Sequence, residues 1–132
     1  MNLEPGTLVV VATGTTARMF KSEGRGKAQS LAAHSHLEPQ NLLDDGPAGK
    51  RPTESSARET DEATFSKQLA NHLNALALRQ QYDALVLIAD PQTLGEVRRS
   101  LHKEVQNRLV AEIAKTLIGH TSEQITKIIS AE

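Results

Sequence analysis

Two places in this sequence set polar, chemistry-capable side chains at the end of an apolar run. The first is "VVVATGTTARMF", Val9 to Phe20, where the run stops at Thr13-Gly14-Thr15-Thr16 and then resumes. A glycine-containing loop after a buried strand can cradle a phosphate when a helix N-terminus follows and aims its free amides at the anion. The second is Asp90, closing "ALVLIAD". The carboxyl end of a central strand is where open α/β sheets place their ligands. Thr13, Thr15 and Asp90 are therefore the candidate residues for a small-molecule or nucleotide site. Each also has a plain structural duty. The turn holds one glycine and is followed by "ARMFKS", which alternates like a strand, so a hairpin turn accounts for it. Asp90 precedes Pro91, and that pair starts a helix: Asp caps the free amides and Pro suits the first helical position.

Other catalytic or metal arrangements fail on spacing. Lys50 in "GPAGKRPTESS" sits in a glycine-containing segment. A phosphate loop of the G-x-x-x-x-G-K-[ST] type would need glycine at Asp44 and a hydroxyl at Arg51. His34 and His36 would share a strand face, but zinc needs further ligands, and His72, His102 and His120 are scattered. With no cysteine, thiolate metal sites, disulfides and cysteine nucleophiles are excluded. No G-x-S-x-G elbow occurs. No metal, cofactor or catalytic residue is expected.

Arg98, Arg99, Lys103 and Arg108 form a local cluster of positive charge. On a helix Arg98 and Arg99 point about 100° apart and can flank one apolar stripe. Glu96 and Glu104 offset part of that charge. The cluster is the candidate patch for an RNA backbone or a protein partner. The net charge of −1 provides no long-range field toward DNA or an anionic membrane, so neither is expected as a partner. The aromatic residues are Phe20, Phe65 and Tyr82, too few for a base-stacking platform. The apolar run near the N-terminus lacks a basic lead and is too short to span a membrane, so a cytoplasmic protein is expected.

The elements that must position these residues follow from periodicity. Residues 7–12 read as a strand buried on both faces, and 16–22 as an alternating strand with Ala17 and Met19 opposite Arg18 and Phe20. The glycines of "EGRGK" make a reverse turn into a third strand at 28–34, completing an antiparallel meander. Residues 35–60, rich in Pro, Gly, Ser and charge, read as a long mobile loop. Phe65, Leu69, Leu73, Leu76 and Gln80 predict a helix over 61–80 with Thr60 as its N-cap. A central strand at 84–89 leads to a helix over 91–104, and Thr121 with Gln124 opens a last helix over 121–130 through a capping box. Between them the pattern is ambiguous: Leu101, Val105, Leu109, Ile113 and Leu117 keep helical spacing, while "RLVAEIA" also alternates like a strand. The chain is sized for one domain spanning 1–132.

The segment "LVLIADPQTLGEVRRSLHKEVQNRLVAEIAKTLIGHTSEQITKII", Leu85 to Ile129, resembles the bacterial host attachment protein family. "VVVATGTTARMF" looks like that family's first hairpin and "ATFSKQLANHLNAL" like its first long helix. The family is similar in turn to the middle domain of archaeal and eukaryotic release factors and of Pelota. The resemblance implies an α/β fold with a mixed sheet; together with the elements above, a single α/β domain is expected, with a mixed five-stranded sheet that begins with the meander and three helices packed on it. It also implies that 107–115 is a strand. It further implies a non-enzymatic binding protein acting through protein or ribosomal partners, any part in host attachment being indirect. Relatives tend to carry an acid where this chain has Thr13, and "KDL" where it has Lys115-Thr116-Leu117. The Gly-Gly-Gln tripeptide of release factors is absent, so peptidyl-tRNA hydrolysis is not implied. The other class of function remains a small enzyme or nucleotide-binding protein using Asp90 and the Thr13–Thr16 turn.

Overall fold

The β-branched run at the start of the chain becomes β1 (Leu8–Ala12), buried at all five positions. A strand covered on both faces has no use for polar alternation, and this one shows none. The computed structural model describes residues 1, 3–37 and 58–132. β1 pairs antiparallel with β2 (Ala17–Glu23), which pairs antiparallel with β3 (Ser30–Leu37). On its other side β1 pairs parallel with β4 (Leu85–Ala89), and β4 parallel with β5 (Leu109–Ala114). The result is a mixed five-stranded sheet in the order β3-β2-β1-β4-β5.

Helices cover both faces of this sheet. Leu8, Val10, Ala12, Met19, Leu85 and Leu87 face α1 (Arg58–Leu78), α2 (Pro91–Ser100) and α3 (Lys103–Arg108) in one apolar cluster. Val9, Val11, Phe20, Val86 and Ile88 face α4 (Ser122–Ala131) in a second. Successive residues of each strand point to opposite faces, so consecutive valines feed two different cores. Each fully buried Val, Leu or Phe contributes about 1.5–3 kcal/mol, so a charge at Val10 would disable the first core.

The local signals at the turns and at the last helix are realised. Gly24 and Gly26 take positive φ of 71° and 55° between β2 and β3, and a β-carbon on Gly24 would lie 2.2 Å from the Ala28 carbonyl oxygen. Thr121 and Gln124 form the reciprocal capping box of α4. Three expectations shift. β3 runs to Leu37 and α1 begins at Arg58, which puts Thr60 inside the first turn and not at the N-cap. What remains of the expected mobile loop, 38–57, lies outside the described residues.

The second shift is at the end of α1. Helix stops at Leu78, and Gln80 adopts φ 58°. Gln81 N–H donates to the Leu76 carbonyl at 2.9 Å and Gln80 N–H to that of Ala77 at 3.0 Å, the paired bonds of a left-handed C-terminal cap.

The third is the helix expected over 91–104, which breaks after Ser100. Leu101 and His102 are extended, with ψ 134° and 157°, and α3 then restarts for six residues. Among the described residues there are thus four α-helices, where three were expected. The break turns the chain so that residues from Leu109 can lie parallel to β4. The helical spacing of Leu109 and Ile113 is consequently a coincidence of a strand following a helix. The strand assignment implied by the family resemblance holds, though it starts at Leu109, and residues 107–108 remain helical.

Candidate functional site

Because β1 and β4 are parallel neighbours, with Val11 opposite Ile88, the turn after one and Asp90 after the other emerge at the same edge of the sheet. Gly14, Asp90, Gln92, Thr93 and Glu96 line a cleft of about 70 Å³ there. That space holds only a couple of waters at about 30 Å³ each. It is too small for a nucleotide base.

Asp90, Thr93 and Glu96 around this cleft, and the Thr13 turn beside it, have partners within the chain. Thr13 N–H donates to the Thr16 carbonyl at 2.8 Å and closes the hairpin. The Thr13 hydroxyl oxygen accepts from Thr15 N–H and Thr16 N–H, both at 3.2 Å, and its neighbours Thr15 Oγ1 and Thr16 Oγ1 lie 3.5 and 3.4 Å away. Positive φ occurs at Gly6, Gly24, Gly26 and Gln80, so Gly14 does not use the left-handed region and the turn rests on the Thr13 hydroxyl. Asp90 caps α2: Oδ2 accepts from Thr93 N–H at 3.1 Å and Oδ1 from Thr93 Oγ1 at 2.8 Å. Glu96 accepts from Ser66 Oγ at 3.2 Å. Two carboxylates beside one helix start repel an anion, which argues against phosphate here despite the α2 amides.

The basic residues fall on α2, α3 and their junction with β5. Arg98 donates through Nε to Glu112 Oε2 at 3.0 Å and through Nη2 to Oε1, a bidentate pair between α2 and β5. Donating to Glu112, and lying beside its charge, raises the Arg98 guanidinium pKa above its ordinary value. Arg108 is a clamp: it donates to the Tyr82 carbonyl, approaches Gln80 Oε1 at 3.4 Å, and stands 5.9 Å from the Tyr82 ring centroid. Asp83 and Glu104 lie 3.8 and 3.7 Å from it. Arg99 and Lys103 are exposed and form no ion pair among the described residues. Of the four cations, Arg99 and Lys103 point to solvent uncompensated, Arg98 is exposed but paired, and Arg108 is built into the fold.

Two polar residues that periodicity could not single out hold these parts together. Asn74, buried on α1, bridges the α2–α3 break. Arg18, on the middle strand of the meander, donates to the carbonyls of Ile118 at 3.0 Å and His120 at 2.7 Å while lying 4.9 Å over the Phe20 ring. Their partners are distant in sequence, and no local pattern announces them. Among the described residues no group of three His, Asp or Glu side chains could share a metal ion. His34 is exposed at an irregularity of the β2–β3 ladder, where Met19 pairs with Ser35 and Phe20 with Ala33. That irregularity interrupts the two-residue alternation on which a His34–His36 pair depends. A shallow groove of about 800 Å³ lies between α4 and the β2–β3 connection, lined by Gln29, Ser30, Glu123, Thr126, Lys127 and Ser130 among others. No helix among the described residues is long and apolar enough to cross a membrane.

With this geometry in view, the chain can be set beside known proteins. An uncharacterised protein of Rickettsia prowazekii (strain Madrid E), RP470, is 27% identical over 78 residues, 58% of this chain and 52% of that protein. The crystal structure of the archaeal translation termination factor aRF1 matches with a TM-score of 0.53 at 12% identity, covering 96% of this chain and 34% of that one. The chain thus spans about half the length of the Rickettsia relative and about a third of the archaeal factor, with which it shares a fold. The matched region of the family model runs over residues 6–129, from the turn ahead of β1 to the last turn of α4. The sheet, the helices on both its faces and the hairpin that opens it all lie inside that span, and the chain belongs to bacterial archaeo-eukaryotic release factor family 12.

Proposed function

We propose that this chain is a non-enzymatic binding protein that works in the cytosol with a ribosomal or RNA partner, docking through the α2–α3 surface. The observation that supports this reading is membership in bacterial archaeo-eukaryotic release factor family 12 over residues 6–129. Arg99 and Lys103 supply the docking charge, because they stand exposed on adjoining helices with no acidic partner among the described residues. Phosphate contacts from such residues position a protein on RNA without reading its sequence. Any contribution to host attachment is indirect, through expression or regulation of other proteins. The reading is tested by co-sedimentation with ribosomes at low salt. The chain pellets with them, the fraction falls as salt rises, and Arg99→Ala with Lys103→Ala lowers it further. Absence of the chain from the ribosomal pellet at low salt overturns it.

The enzyme or nucleotide-binding alternative rests on the convergence of the Thr13–Thr16 turn and Asp90 at one cleft. It requires a metabolite that raises the melting temperature of the wild type and fails to do so for Asp90→Asn, which keeps the helix cap.

A further inference from the structure

Arg98 is more than half exposed, at 55%, yet the Nε–Nη2 edge of its guanidinium is taken by a carboxylate of its own chain. Glu112 is far less exposed, at 19%, and sits on β5 opposite Leu87, so it is held by the sheet while Arg98 reaches to it from α2. A planar guanidinium binds a carboxylate and a phosphate with the same bidentate geometry. Arg98 follows Val97 on α2 and adjoins Arg99, with Lys103 one element further on. An RNA backbone lying across Arg99 and Lys103 and reaching Arg98 would meet a cation whose charge Glu112 already offsets and whose Nε–Nη2 edge it already fills.

We propose that Glu112 is an intramolecular competitor for RNA phosphate, a latch that holds Arg98 out of the docking surface until a backbone phosphate displaces it. This rests on the reading of the α2–α3 face as an RNA-docking surface and adds its regulation. The latch tunes affinity downward: a phosphate taking the Nε–Nη2 edge must break one ion pair to form another, so Arg98 contributes little net binding in the wild type. Neutralising Glu112 releases Arg98 to make one more phosphate contact. An isolated pair near the surface contributes little to folding, so Glu112→Gln retains the fold.

The experiment compares binding of an oligouridylate by wild type, Glu112→Gln, Glu112→Gln with Arg98→Ala, and Glu123→Gln across a salt series. Glu123→Gln makes the same change in net charge on α4, across the sheet. The latch predicts that Glu112→Gln binds severalfold more tightly and steepens the dependence of log affinity on log salt by about 0.7, the value for one added phosphate contact on a single strand. Arg98→Ala in that background cancels the gain, and Glu123→Gln leaves affinity at the wild-type level. Equal affinities for wild type and Glu112→Gln, or an equal gain from Glu123→Gln, overturn the latch and leave the docking surface standing. If neither protein binds the oligouridylate while the chain still pellets with ribosomes, the latch falls and the ribosomal reading survives. If ribosome pelleting fails as well, both fall.

Discussion

Asn74 and His102 are joined across the helix break: the Asn74 side-chain carbonyl accepts from His102 N–H at 2.9 Å, while its amide donates to the Ser100 carbonyl at 3.0 Å. One buried amide thus satisfies the backbone groups freed on both sides of extended Leu101. Buried donors and acceptors left unpaired cost about 1–3 kcal/mol each. Both bonds are partly buried, so Asn74→Ala destabilises the domain by about 2 kcal/mol, which for a chain of this size lowers the melting temperature by roughly 7 °C. Asn74→Asp keeps the acceptor for His102 but leaves Ser100 unpaired and buries a charge. It should be no better than the alanine. Thermal unfolding followed by circular dichroism decides both.

The same helix ends on a residue that a left-handed cap does not favour. Gln80 holds φ 58°, a conformation that costs an ordinary L-residue about 1–2 kcal/mol and glycine almost nothing. Its side chain gains only a 3.4 Å contact with Arg108 in return. Gln80→Gly is expected to stabilise the protein by about 0.5–1 kcal/mol, with Gln80→Val lowering stability because its branched β-carbon crowds that region. Chemical denaturation midpoints at constant slope measure both effects.

These two residues mark where sequence reading stops. The apolar runs of β1 and β4, the glycine turn at 24–26 and the capping box at Thr121 were legible because each is written within a few residues. The end of α1 was misplaced because Gln80 keeps helical spacing and is not one of the residues that usually mark a cap. The break at Leu101 was invisible because the group that permits it, Asn74, lies on another helix. Among the candidate site residues, Asp90 as a helix cap and Thr13–Thr16 as a turn could be read from neighbouring residues. That they share an edge depends on β1 and β4 pairing in parallel, which no local pattern encodes. The pairing of Arg98 with Glu112 and the enclosure of Arg108 against Tyr82 are likewise tertiary facts.

Thr13 offers a direct test of what an acid at this position, expected from the family resemblance, would do. Its hydroxyl is the acceptor that holds Thr15 and Thr16 in the turn, a role an aspartate performs with a stronger acceptor. Thr13→Ala should cost about 1 kcal/mol. Thr13→Asp should come within about 0.5 kcal/mol of wild type, since the better acceptor is offset by two carboxylates, Asp90 and Glu96, around the cleft that Gly14 lines. Such a result makes the acid a turn residue. A large destabilisation by Asp, relieved at high salt, would instead identify crowded negative charge as the dominant effect.

Tyr82 gives the fold a stability limit at high pH. It is the single tyrosine of the chain, its ring is buried, and its hydroxyl donates to the Leu73 carbonyl at 2.9 Å. Burial pushes its pKa up to about 12 from the ordinary value near 10, against the opposing charge of Arg108. The unfolded chain therefore releases this proton first as pH rises, so the stabilisation is complete below pH about 10 and is lost progressively toward pH 12. With no tryptophan present, the phenolate absorbance reports this one residue. Its titration in the folded protein should lie well above that of the denatured chain, and the melting temperature should fall through the same interval. Tyr82→Phe removes the hydroxyl, so it should flatten this loss at the cost of lower stability at neutral pH, where the Leu73 carbonyl loses its donor. An ordinary titration near pH 10 in the folded protein would mean that the Tyr82 hydroxyl reaches solvent and is not locked between α1 and Arg108.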